Sequence, residues 1–114
     1  MEQLSIALPV LPGKTPVLKE FVKSITDSKW EEYSAFQQRY AVHKVTWTLQ
    51  STPKGDFFII YNEAEKGLSE LFRQLFTSTH PFDVWARQKL LEITGIDPKA
   101  LKGPLPEQLL KYGY

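Results

Sequence analysis

Between His43 and Tyr61 the spacing of apolar residues switches from helical to alternating, and this switch constrains the fold more than any other feature of the chain. Val45, Trp47 and Leu49 fall on one side of a strand, and Thr46, Thr48 and Gln50 on the other. Thr52-Pro53-Lys54-Gly55 supplies the chemistry of a turn. Phe57-Phe58-Ile59-Ile60-Tyr61 then runs apolar at every position. An alternating strand, a short turn and a doubly apolar strand make an antiparallel hairpin, and a strand that needs cover on both faces belongs at the centre of a sheet. Leu4, Ile6 and Leu8, separated by Ser5 and Ala7, add a half-buried strand at the N-terminus.

The segments around these strands have helical spacing. Leu11-Pro12-Gly13 ends the first strand, and Thr15 is placed to cap a helix with Pro16 in its first position. Leu18, Phe21, Val22 and Ile25 form one face of that helix. Ser28-Lys29-Trp30-Glu31 reads as a capping box, so the pattern restarts there and carries Trp30, Tyr33 and Tyr40 in one long helix with a break near residue 28. After the hairpin, Asn62 to Glu65 leads into a stripe of Leu68, Leu71, Phe72, Leu75 and Phe76. Thr79 is placed to cap a last helix, with Pro81 in its first turn and Gly95 as its stop. Residues 96–114 read as an irregular tail with a helical turn at Pro106 to Leu110. The order is β-α-β-β-α, an α+β chain forming a single domain over 1–114 whose helices pack on one sheet face. A strand, a helix and a hairpin in that order suggest the ferredoxin-like split βαβ arrangement.

Composition removes several classes of function. Without cysteine there is neither a disulfide nor a thiolate metal site. A net charge of +1 carries no basic field of the kind that binds nucleic acid. No apolar run is long enough to span a membrane, and the N-terminus lacks a basic leader region, so a soluble, cytoplasmic protein is expected. His43 and His80 have no metal-ligand spacing around them, and no phosphate-binding, dinucleotide or nucleophile-elbow motif occurs. No metal and no cofactor are expected.

Three segments, Thr52 to Glu65, His80 to Asp97 and Gly103 to Leu109, together with the opening strand, resemble a group of small, uncharacterised bacterial proteins of the dimeric α/β-barrel class of ferredoxin-like domains. The resemblance implies a homodimeric barrel. It implies no particular chemistry, because the class includes small monooxygenases, haem-modifying enzymes and stress-response barrels.

Five residues are candidates for a ligand site. Trp47, Tyr61 and Trp85 are large aromatics able to wall a pocket, and the apolar patterns of their strands let Trp47 and Tyr61 share a sheet face. His80 and Asp83 stand three apart at a helix start, where they can form a hydrogen-bonding pair beside the positive end of the helix dipole. The competing reading of each is ordinary structure: core packing for the aromatics, capping and dipole stabilisation for His80 and Asp83. Arg39 and Arg87 are candidates to meet an anion, or else solvated helix charges. The expected function is a small dimeric barrel binding an apolar or aromatic molecule. A cofactor-independent monooxygenase-like enzyme and a structural or protein-interaction module are the alternatives.

Overall fold

The computed structural model describes residues 2–65, 67–97 and 106–113. Its elements follow the order β1 (Glu2–Pro9), α1 (Thr15–Ser28), α2 (Trp30–Arg39), β2 (Val42–Thr52), β3 (Gly55–Ala64), α3 (Leu68–Thr77) and α4 (Pro81–Thr94). The side chains of 68–72, which carry part of the expected apolar stripe, and residues 98–105 of the expected tail lie outside the described residues.

The three described strands form one antiparallel sheet in the order β1-β3-β2. The strand apolar on both faces is therefore the central one. β1 and β2 each run antiparallel to β3, so they run parallel to each other, and α1 and α2 connect them. The hairpin closes on the pair Thr52 and Gly55 with only Pro53 and Lys54 between them. Thr52 Oγ1 donates to the Gly55 carbonyl at 2.7 Å and accepts from the Lys54 N–H at 3.2 Å. Gly55 turns with φ 128°, a conformation open to glycine and strained for other residues.

This turn fixes the register and hence both faces. Trp47 lies opposite Ile60, Leu49 and Leu8 opposite Phe58, and Thr46 and Ser5 opposite Tyr61. Trp47, Leu49, Phe58, Ile60 and Leu8 pack with Leu18, Phe21 and Ile25 of α1 and Phe82, Ala86 and Ile93 of α4 in one core. The helices cover this face. The other face presents Phe57, Ile59 and Tyr61, half-buried, between the exposed Ser5, Ala7, Thr46 and Thr48. Trp47 and Tyr61 therefore point to opposite faces, and the expectation that they share one is wrong. β3 is apolar on both sides, so its pattern carries no parity.

The helix boundaries are shaped by tertiary partners as well as local signals. The break in the long helix falls at Lys29, as expected. The capping box does not form, because Ser28 is still inside α1 and its hydroxyl donates to the Ser24 carbonyl. Lys14 rather than Thr15 occupies the cap position of α1, and the Thr15 hydroxyl instead donates to the Asp56 carboxylate at 2.6 Å. Gly95 ends α4 in the left-handed conformation, its N–H bonded to the Leu91 carbonyl at 2.8 Å. β3 continues to Ala64, past the expected end at Tyr61, and Pro106 to Gly113 has no regular structure where a helical turn was expected.

Candidate functional site

α2 turns three half-buried residues, Tyr33, Phe36 and Gln37, toward the sheet and buries none of its side chains fully. A cleft of about 440 Å³ opens between α1–α2 and β2. Trp30, Tyr33 and Trp47 supply its aromatic walls, while Thr26, Ser34 and Gln37 supply neutral hydrogen-bonding groups. Behind it a chamber of about 90 Å³ is lined by Phe36, Ile60, Leu75 and Phe82, with Asn62 as a buried polar group. Tyr33, Gln37 and Trp47 border both spaces and form the partition between them.

The partition is held by aromatic contacts. Tyr33 meets Trp47 edge to face at 5.6 Å between ring centroids, Trp47 stacks on Phe21 at 5.7 Å, and Trp30 leans on Tyr33 at 5.5 Å. Burial pushes the Tyr33 phenol above its ordinary pKa, against an opposing hydrogen bond with Gln37. It therefore stays a neutral donor at physiological pH. At the rim Lys44 Nζ lies 3.6 Å from Glu63, and His43 Nε2 lies within hydrogen-bond distance of Glu65 at 3.0 Å. Trp30, more than half exposed, stands at the opening.

The other four sequence candidates do not join Trp47. Tyr61 is on the opposite sheet face, where it borders a hollow of about 210 Å³ under the C-terminal segment. Trp85 packs between Phe21 and Phe82, with Lys29 Nζ 4.8 Å over its ring. His80 is exposed, while Asp83 is completely buried, so the expected pair does not form. Thr79 does not cap α4 either; His80 holds that position without a side-chain cap, and its own N–H is bonded to the Ser78 hydroxyl.

Asp83 is committed elsewhere. Its carboxylate accepts from Arg39 Nη2 at 2.5 Å, from the Tyr40 hydroxyl at 2.8 Å and from the Ser78 hydroxyl at 2.6 Å. One turn further along α4, Arg87 donates to the carbonyls of Leu75 and Ser78 at 2.6 and 2.7 Å. Together these bonds join the end of α2, the α3–α4 connection and the start of α4. Neither arginine waits for an anion. Burial, followed by the hydrogen bond with Asp83, pushes the Tyr40 phenol above its usual pKa. The whole cluster is a clamp that sets α4 against α2 and thereby fixes Phe82 at the back of the inner chamber.

Among the described residues no group of three histidine, cysteine or acidic side chains is placed to hold a metal ion, and no helix is long and apolar enough to cross a membrane. No family model matches the chain, and no curated protein or solved structure matches it.

Proposed function

We propose that the chain is a small-molecule-binding domain that holds a flat, largely apolar and uncharged ligand in the cleft between α1–α2 and β2. The observation that carries this reading is the cleft itself: about 440 Å³, walled by Trp30, Tyr33 and Trp47 and furnished with neutral polar groups. Binding sites for small molecules have this size and this balance of aromatic walls and few polar groups. The Lys44–Glu63 pair at the rim favours neither anion nor cation.

The scaffold is of the ferredoxin-like, dimeric α/β-barrel kind. Parallel β1 and β2 flanking β3, joined through helices on one face, support the split βαβ reading. The fourth strand of that fold would pair along the outer edge of β1, where the Gln108 amide meets Gln3. The half-covered apolar residues of the open sheet face support a homodimer.

The test is a panel of neutral and anionic aromatic compounds titrated into the protein and followed by two-dimensional NMR. Neutral aromatics are expected to shift the indole signals of Trp30 and Trp47, and Trp30→Ala is expected to weaken binding about tenfold while leaving the fold intact. Shifts confined to other surfaces, or unchanged affinity in Trp30→Ala, would remove the reading.

A further inference from the structure

We infer that the ligand of the cleft carries a neutral carboxamide or lactam edge, which enters the inner chamber and exchanges hydrogen bonds with the side chain of Asn62. The inference rests on the cleft reading above and names the chemical class that the cleft takes. Asn62 is only 8% exposed. It alternates along β3 with Ile60 and Phe58, so its side chain shares their helix-covered face. Its cross-strand neighbours are Leu4 and Val45, whose side chains have nothing to donate or accept. Among the described residues no group pairs with the Asn62 side-chain amide, and no polar side-chain atom without a partner is sealed off completely. The amide therefore keeps its small accessible surface on the chamber that it lines. It holds N–H donors and a carbonyl acceptor side by side in one plane. Its full complement is a planar group that also presents a donor beside an acceptor.

The chamber suits that group better than it suits water or an ion. Its other polar lining residues, Tyr33 and Gln37, are hydrogen-bonded to each other, and no charged side chain is among the described residues that line it. A buried water is held by about two to four polar partners, whereas here it would meet Asn62 against Phe36, Ile60 and Phe82. A carboxylate would lose its hydration with no cation to replace it, so the charged analogue is rejected. The size also agrees. A space of about 90 Å³ is the share of about three liquid waters, and a carboxamide brings as many heavy atoms. Gln37 is the flexible member of the partition it forms with Tyr33 and Trp47. Its rotation joins the chamber to the cleft, where the aromatic body of the ligand lies against Trp30 and Trp47.

The test titrates three probes of one shape, benzamide, acetophenone and benzoate, into the full chain and into its Asn62→Leu variant, read by two-dimensional NMR and calorimetry. Benzamide is expected to shift the Asn62 side-chain amide signals together with the indole signals of Trp30 and Trp47. It is expected to bind the native protein about tenfold tighter than acetophenone, in which a methyl replaces the donor. Benzoate is expected to bind more weakly still. Asn62→Leu is expected to melt no lower than the native protein, because it removes an unpaired buried amide, and to bind benzamide and acetophenone equally. Indole shifts from all three probes at equal affinity, or Asn62 signals that stay in place, overturn the amide recognition and leave the cleft reading standing. No indole shift from any probe overturns both. Should Asn62→Leu fail to fold, the order of affinities in the native protein decides alone.

Discussion

Replacing Asp83 by alanine removes the acceptor of three hydrogen bonds at once, from Arg39, Tyr40 and Ser78. Taken singly, hydrogen bonds to a charged group contribute about 1.5–3 kcal/mol each. They do not sum here, because water recovers part of what the donors lose. The Arg39 side chain is 29% exposed and can turn toward solvent, whereas Asp83 is at 0%. Breaking a buried pair by deleting one partner costs about 3–5 kcal/mol. With Arg39 partly rehydrated, the expected loss is about 3 kcal/mol, or about 10–15 °C in melting temperature for a domain of this size. Urea unfolding followed by circular dichroism and tryptophan emission measures it. Part of the cost is the Arg39 charge left only partly rehydrated, so Asp83→Ala combined with Arg39→Met is expected to regain about 1 kcal/mol of it. A loss below about 1 kcal/mol for Asp83→Ala, or additivity in the double variant, would refute the clamp as a coupled buried network.

Three further outcomes follow from other sites. Trp47→Ala opens a gap against Phe21, Tyr33 and Phe58, and because Trp47 is only half-buried it should cost about 2–3 kcal/mol rather than the full core value, as measured by urea unfolding. The Thr15 hydroxyl, then Ser51, lower the Asp56 pKa, so this carboxylate adds stability above the ordinary carboxylate value near about 4 and loses it as pH falls through its lower folded value. Thr15→Val should raise the Asp56 titration midpoint in carboxyl-carbon NMR. Gly95→Ala meets both the left-handed φ of 70° and Leu11 Cδ1 at 3.1 Å, and is expected to lower stability by about 1–2 kcal/mol in thermal melts, Leu11 giving way at its flexible tip.

What the sequence reveals of this fold is what short-range patterns control. The hairpin, the central place of Phe57 to Tyr61, the interruption at Lys29 and the stop at Gly95 all depend on neighbours within a few residues. The relation of Trp47 to Tyr61 was legible too, by counting outward from the turn: Thr52 opposite Gly55 puts position 47 opposite 60, not 61. Apolar alternation misleads there because β3 has none. Capping motifs mislead where a hydroxyl finds a partner elsewhere, as Thr15 does in Asp56. Asp83 was singled out for the wrong partner. Arg39 and Tyr40 lie more than forty positions away, and no local spacing encodes that meeting. The cleft was invisible for a related reason. Residues of α1, α2 and β2 line it together, a fact about packing rather than pattern.

The central position of β3 also decides when each part of the chain can fold. β2 and β3 meet across a two-residue turn, whereas β1 pairs with residues some fifty to sixty places further along. Closing so long a loop costs more entropy than closing the hairpin, so the hairpin forms first and β1 docks onto its free side. During synthesis the order is reversed: β1 emerges first, and Leu4, Ile6 and Leu8 wait unpaired until residue 64 has left the ribosome. Pulse-labelled hydrogen exchange during refolding should show β2–β3 amides protected before those of β1. In the cell, that interval is when the nascent chain is most open to chaperones and to pairing with the wrong strand.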